Sequence, residues 1–294
     1  MSVISSQSRP SSQVRTLFIS DVHLGTPDCQ ADLLSSFLKR YQFEQLYLVG
    51  DVFDLLAMRK RSVLPRAQQA LVMQVIRLAR RGVRVTFIPG NHDALLRRFC
   101  GFQLQGLNIE RRSIHQTADG RRLLITHGDE FDGDVQVPNW LHLLGDRLHA
   151  GLLKANRGCN GIRRFMGLPY WSLAGAVKRR LSGAQRYIDR YRQAALREVG
   201  KQQEASQQAL AGIVTGHIHQ ADMVMTEAGL YLNTGDWVEH CTALIEDTQG
   251  RLSLVNHQGE CLCTEPHTPP IPIQDRLLPA TYSVSGKNGG WLHH

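Results

Sequence analysis

The chain of 294 residues predicts an α/β fold, with helices packed against a sheet. Three observations carry that prediction. Apolar, β-branched runs alternate with amphipathic helical stretches along the first third of the sequence. Each of these runs stops at a short polar motif, where open α/β sheets place their ligands. With 42% hydrophobic residues, the chain can bury one large core or two modest ones.

Val14 to Ser20 reads as a mostly buried strand that delivers Asp21 and His23. In extended backbone, residues i and i+2 share a side, so Asp-x-His can present both side chains to one ion. Asp32 to Arg40 reads as a short helix with Leu33, Leu34, Phe37 and Leu38 on one face. Gln45 to Val49 is the next strand and ends in Gly50-Asp51-Val52-Phe53-Asp54. Pro65 to Arg81 has helical periodicity through Ala67, Leu71, Val75, Leu78 and Ala79, with Gly82 as its C-cap. The strand Val83 to Ile88, closed by Pro89, leads into Gly90-Asn91-His92-Asp93, the stretch around which the other motifs gather. A further strand, Arg121 to Thr126, delivers His127-Gly128.

The strand pattern then lapses. From Pro138 to about Ala211 the spacing predicts helices, with Trp140, Leu141, Leu144 and Leu148 on one stripe. Tyr187, Ile188, Tyr191, Ala194, Ala195 and Val199 form another. Residues 138–211 are therefore expected to be a helical insert. Strand character returns with Ile213 to Thr215, which delivers Gly216-His217-Ile218-His219. Short strands at Met223–Thr226, Gly229–Leu232, Thr242–Ile245 and Leu252–Val255 suit antiparallel hairpins. The expected organisation is a flexible tail at 1–13, one domain at 14–258, and an irregular Pro- and Gly-rich tail at 259–294.

The net charge of +8 is uneven. Between Asp146 and Lys201 thirteen Lys or Arg face only three acids, so the basic character belongs to the insert. Such a segment suits an anionic partner: phosphate, nucleic acid or acidic lipid headgroups. No apolar run is long enough to span a bilayer, and Met1 to Ser12 lacks the apolar stretch of a secretory signal. Six cysteines without Cys-x-x-Cys spacing suit a reduced cytoplasmic chain and argue against a zinc finger.

Asp21, His23, Asp51, Asn91, His127, His217 and His219 all stand just after strands. Two carboxylates, four imidazoles and one amide oxygen are too rich in nitrogen for Mg²⁺ or Ca²⁺ alone. The set lacks the thiolates of structural zinc and suits Mn²⁺, Fe²⁺ or Zn²⁺. Seven donors exceed the need of one ion and suffice for two if a carboxylate bridges them. Two such ions can hold a hydroxide between them and clamp an in-line displacement at phosphorus. His92 is left over, placed to protonate a leaving oxygen or to neutralise phosphoryl charge. Taken singly, each histidine is better explained as an ordinary satisfied polar residue, and the weight comes from five motifs in order.

The motif set Asp-x-His, Gly-Asp-x-x-Asp (Gly50 to Asp54), Gly-Asn-His-Asp, His-Gly and Gly-His-x-His resembles the calcineurin-like metallophosphoesterases, from about Val14 to Val255. The resemblance implies a four-layer α/β/β/α sandwich with a dinuclear centre between its sheets, Mn²⁺ being the first choice of metal. It implies Asp21, His23 and His219 on one ion, Asn91, His127 and His217 on the other, and Asp51 as the bridge. It also implies His92 as the catalytic acid, with Asp54 and Asp93 outside the ligands.

The helical insert and the Asn233-Thr-Gly-Asp-Trp237 turn look most like the bacterial UDP-2,3-diacylglucosamine diphosphatase group of lipid A synthesis. The best-known members of that group carry Arg where this chain has His92, and the two side chains meet a phosphate differently. The resemblance implies a nucleotide-diphosphate substrate linked to lipid, a cap made by the insert (Lys178, Arg179, Arg180, Arg186, Arg190), and peripheral contact with the inner face of the cytoplasmic membrane. Against the cap stands the reading of those charges as a solvated helix face. Three other functions compete: a general phosphodiesterase, phosphomonoesterase or protein phosphatase, a non-catalytic scaffold, and a nuclease. All seven donors are present, which disfavours the scaffold. Few aromatics interleave the basic segment, which disfavours nucleic acid.

Overall fold

The computed structural model describes residues 12–59, 63–134 and 182–265, with positions 158, 160, 163 and 165–167 between them. In chain order the first elements are β1 (Ser12–Gln13), β2 (Thr16–Ile19), α1 (Ala31–Leu38), β3 (Tyr41–Gln42), β4 (Gln45–Val49), α2 (Leu55–Met58), α3 (Arg66–Arg80) and β5 (Arg84–Ile88). A 3-10 segment at Ala94–Phe99 leads to β6 (Gln103–Leu104), β7 (Leu107–Ile109), β8 (Ser113–Gln116) and β9 (Arg122–Ile125). A second 3-10 segment follows at Asp129–Asp134, and α4 covers Ser182–Ser206. The remaining strands are β10 (Gly212–Thr215), β11 (Asp222–Thr226), β12 (Gly229–Asn233), β13 (Thr242–Glu246), β14 (Leu252–Asn256) and β15 (Cys261–Thr264).

These strands make two main sheets. The larger has eight strands in the order β15-β14-β13-β2-β4-β5-β7-β6, with β2, β4, β5 and β7 parallel. The smaller has five, β11-β12-β10-β9-β8, with β10 parallel to both neighbours.

Strand alternation sorts the side chains into three apolar layers. Leu17, Ile19, Leu46, Leu48, Val85 and Phe87 pack outward under α1 and α3, meeting Leu34, Phe37, Leu38 and Leu71. Their neighbours Phe18, Tyr47, Val49 and Ile88 turn the other way and meet Leu123, Ile125, Val214, Leu230 and Leu232 of the smaller sheet. On that sheet's far face, Leu124, Ile213 and Tyr231 pack against Tyr191, Ala194, Ala195 and Val199 of α4. Helix, sheet, sheet, helix is thus the layer order, the sandwich expected from the resemblance. Each fully buried Leu, Ile or Phe in these layers contributes about 1.5–3 kcal/mol.

One buried carboxylate ties the sheets together. Glu246 on β13 accepts from Thr16 Oγ1 (2.6 Å), Arg15 Nη1 (2.7 Å), the Ala118 amide (2.7 Å) and His115 Nε2 on β8 (2.8 Å).

The structure departs from the expected organisation at both ends of the domain. Ser12 and Gln13, placed in the flexible tail, pair with Tyr41 and Gln42. Cys261–Thr264, placed in the irregular tail, adds an edge strand to β14. The cause is a tight turn: Asn256 Oδ1 accepts the amides of Gln258 and Glu260, and Gly259 takes φ +81°. Strands β3, β6 and β7 escaped the sequence reading because they span only two or three residues, and β8 because its buried residue is His115 while its apolar Ile114 faces outward. Of the insert expected at 138–211, α4 is helical as predicted, and Lys178, Arg179 and Arg180 lie outside the described residues. No helix among the described residues is long and apolar enough to cross a membrane.

Candidate metal centre

Five loops meet at one place. Those after β2, β4 and β5 belong to the larger sheet, and those after β9 and β10 to the smaller. Parallel pairing of β2 with β4, of β4 with β5, and of β9 with β10 aims the loops within each sheet the same way. Close approach then demands small residues. A Cβ on Gly90 would collide with the Asp51 carboxylate, and one on Gly216 with Asp21 and Ser20.

Two sets of donors converge there. Asp21, His23 and His219 have ligand atoms within 4.8 Å of one another, as do Asp51, His127 and His217. In the first set, His219 Nε2 lies 3.3 Å from Asp21 Oδ1 and 3.3 Å from His23 Nε2. In the second, His127 Nε2 lies 3.3 Å from Asp51 Oδ2 and 3.2 Å from Asn91 Oδ1. Asp51 Oδ2 is also 4.0 Å from His23 Nε2, so one carboxylate touches both sets. All seven candidate ligands are therefore brought together.

The donor set fits divalent cations. Asp21 Oδ1 is buried without a well-formed hydrogen bond, and faces two imidazole nitrogens that carry lone pairs in their Nδ1–H tautomers. A buried carboxylate oxygen left so is costly, and a cation among these atoms would satisfy all three. His127 Nδ1 donates to the Val49 carbonyl at 2.9 Å, which leaves Nε2 as the ring's ligand atom.

Backbone strain marks the same residues. Asp21, His23, Asp51, His217 and His219 all have positive φ, between 51° and 70°. Such conformations cost on the order of 1–3 kcal/mol each, and persist where surrounding structure imposes them.

Around the seven lies a ring of supporting groups. His92 Nδ1 is 3.1 Å from Asp54 Oδ2, and Asp54 Oδ1 caps α2 through the Ala57 amide (2.7 Å). His23, Asp54 and His92 thus form a third potential ligand cluster. Asp93 is fully buried and accepts the amides of Val52 (2.8 Å), Phe53 (3.1 Å) and Gly90 (2.6 Å), clamping the β4 and β5 loops together.

Two further carboxylates were given no role at the site from the sequence, although Asp236 lies in the quoted Asn233–Trp237 turn. Asp236 Oδ2 lies 2.6 Å from His240 Nδ1 and 4.0 Å from His219 Nδ1. Asp132 Oδ2 lies 2.8 Å from His217 Nε2. The acid-rich run Asp129-Glu130-Phe131-Asp132 after His127 was the available signal for the second. A cleft of about 450 Å³ opens beside His92, walled by Leu55, Leu56, Met58, Ala94 and Leu95, with Arg59 at its edge. Nothing in the residue spacing pointed to it.

The charges are strongly interdependent. Burial alone would raise the Asp51 carboxyl, but His127, His23 and His92 hold it well below the usual range. Asp54 is likewise drawn down, to about 2, by His23, the Ala57 amide and His92 against its own burial. Burial would lower the His127 imidazole, yet Asp51 and Asp21 push it up to about 10. Burial pushes Asp93 up to about 6, aided by the Asp51 charge and opposed by the amides it accepts.

Known proteins align with this chain as follows. A UDP-2,3-diacylglucosamine hydrolase of Aliivibrio fischeri (strain MJ11) is 32% identical over 151 residues, covering 45% of this chain and 58% of that protein. One from Histophilus somni (strain 129Pt) is 32% identical over 132 residues, 41% of this chain and 51% of that protein. The match thus spans about half the length of these relatives. Among solved structures, a phosphoesterase from E. coli matches at TM-score 0.44 and 15% identity, over 85% of this chain and 97% of that one. The family model described as calcineurin-like phosphoesterase matches residues 14–221, from the strand before Asp21 to just past His219. Because that match takes in all five loops, this chain belongs to the calcineurin-like phosphoesterase family.

Proposed function

We propose that this protein hydrolyses a phosphoric ester or anhydride with two divalent metal ions, and that its substrate is a UDP-2,3-diacylglucosamine-type nucleotide diphosphate. The observation that carries the two-ion reading is Asp51, whose Oδ2 stands 3.3 Å from His127 Nε2 and 4.0 Å from His23 Nε2. Asp21, His23 and His219 would hold one ion, Asn91, His127 and His217 the other, and Asp51 would serve both. Mn²⁺ is the first choice, with Fe²⁺ or Zn²⁺ as alternatives. When bound, such a pair activates water and neutralises charge on the phosphoryl oxygens.

The chain's own residues supply the rest. His92, its side chain 35% exposed, can reach a ligand from the rim, and Asp54 fixes its Nδ1. As the imidazolium, His92 would donate Nδ1–H to Asp54 and pass its Nε2 proton to the leaving oxygen, remaining as the neutral Nδ1–H imidazole. The apolar walls of the adjacent cleft favour a substrate with a hydrocarbon part, and Arg59 favours one with a nearby negative charge. The names of the relatives point the same way. The basic insert would act as a cap, and peripheral contact with a membrane surface would follow from a lipid-linked substrate. His92, standing where the best-known diphosphatases carry Arg, favours a second reading: a phosphodiesterase of broader substrate range.

The test is a comparison of substrates. Chelated protein restored with Mn²⁺ should cleave a UDP-linked diacyl sugar at the diphosphate far faster, by kcat/KM, than an aryl phosphodiester. Reversing Arg179 and Arg180 to Glu should raise KM for the lipid-linked substrate and leave the aryl one nearly unchanged. Equal turnover of both substrates would select the phosphodiesterase reading, and full activity after chelation would sink both.

A further inference from the structure

We propose that Asp132 and Tyr187 form a positioning pair through which α4 sets the orientation of His217 in the metal centre, an inference that rests on the ligand role proposed above for His217. An imidazole ligand can rotate about its side chain and exchange its two tautomers, and both freedoms weaken metal binding. A carboxylate on the second ring nitrogen removes both. His217 has such a partner: its Nε2 donates to Asp132 Oδ2 at 2.8 Å, leaving Nδ1 as the ring's remaining ligand atom.

Asp132 is itself held from α4. Its Oδ1 accepts the Tyr187 hydroxyl at 3.0 Å, so its two oxygens face a candidate ligand on one side and the helix on the other. One helical turn later, the buried Tyr191 reaches the same two loops. Its hydroxyl lies 3.4 Å from the carbonyls of both His127 and Gly216, and its ring stands 6.1 Å from that of His217. Tyr187 and Tyr191 thus present one face of α4 to the main chain beside His127 and to the side chain of His217. The left-handed backbone of His217 (φ 70°) adds a reason for outside support, since such a residue keeps its geometry only where neighbours impose it. Asp132 is 46% exposed in its side chain, and an ion pair that open would contribute little to folding. Acting on ring orientation, it matters for metal affinity instead.

The experiment is a Mn²⁺ titration of the full chain against a chromophoric chelator, with the thermal midpoint of the metal-free chain as a folding control. Asp132→Ala should weaken one of two Mn²⁺ sites by about 10–100-fold and leave the other and the metal-free midpoint unchanged. Tyr187→Phe should weaken the same site by less, and should add nothing in the Asp132→Ala background, because the two act in series. Wild-type affinities in Asp132→Ala would overturn the proposal, leaving a surface ion pair. Additive losses would overturn the pairing with Tyr187. Loss of one ion even at saturating Mn²⁺ would make Asp132 a direct ligand and overturn the positioning role. If the wild type itself binds no Mn²⁺, the two-ion reading fails first and takes this proposal with it.

Discussion

Asp51 Oδ1 accepts the backbone N–H of His92 at 2.8 Å, so the carboxylate shared by both donor sets and the proposed acid are fixed to each other through the main chain. The other oxygen, Oδ2, faces His127 and His23. A change at residue 51 should therefore reach both proposed ions and the placement of His92 together.

Asp51→Asn is expected to lower metal content at both positions and to reduce activity more than His219→Ala does. The affinity loss should exceed the roughly 10–100-fold typical of losing an outer partner. Elemental analysis after dialysis, beside kcat, checks this. A variant that keeps two tightly bound ions would show that Asp51 does not bridge.

His92→Ala is expected to lower kcat by about 10²–10⁴-fold with metal content unchanged, as for loss of a general acid. Asp54→Asn should give a smaller loss in the same direction, since it removes only the charge that orients the ring. The deficit should shrink with aryl leaving groups that need no proton. Equal deficits across leaving groups would reassign His92 to charge neutralisation alone.

Metal loading is expected to release a proton from His127. The metal-free imidazole, pushed up to about 10, is charged at neutral pH, whereas a ligand imidazole must be neutral. Affinity should therefore rise with pH up to about 10, by about tenfold per unit for one released proton. Titration heats in buffers of different ionisation enthalpy would count it. In the metal-free chain the same charge supports folding. That support is complete below the unfolded value of about 6.5 and is lost as pH climbs through about 10.

Asp93→Ala is expected to destabilise the metal-free fold by about 2–6 kcal/mol, because two buried amides, of Val52 and Gly90, lose their acceptor at about 1–3 kcal/mol each. Denaturant midpoints measure it. A change below about 1 kcal/mol would mean that water replaces the carboxylate.

The sandwich was legible because its strands keep period two and its helices period 3.6. Leu17 and Ile19 against Phe18 already display both faces of β2 in three letters of sequence. The candidate ligands were legible because each motif is local: Asp21 and His23, or His217 and His219, lie two residues apart. Asp132 was not, because it reaches its histidine across a distance no spacing encodes. Asp132 meets a residue 85 positions away. Short strands such as β6 carry too few residues to display a period.

The left-handed backbone at Asp21, His23, Asp51, His217 and His219 has a consequence for the chain's history under heat. Glycine is the residue that accepts such φ values without steric penalty. At His23, His217 and His219 a glycine would relax the backbone and delete a donor, whereas Asp21 and Asp51 also accept the amides of His217 and His92 and so support the fold themselves. A laboratory screen that rewards only melting temperature should enrich glycine at those three histidines, and its winners should be sturdier and bind metal less.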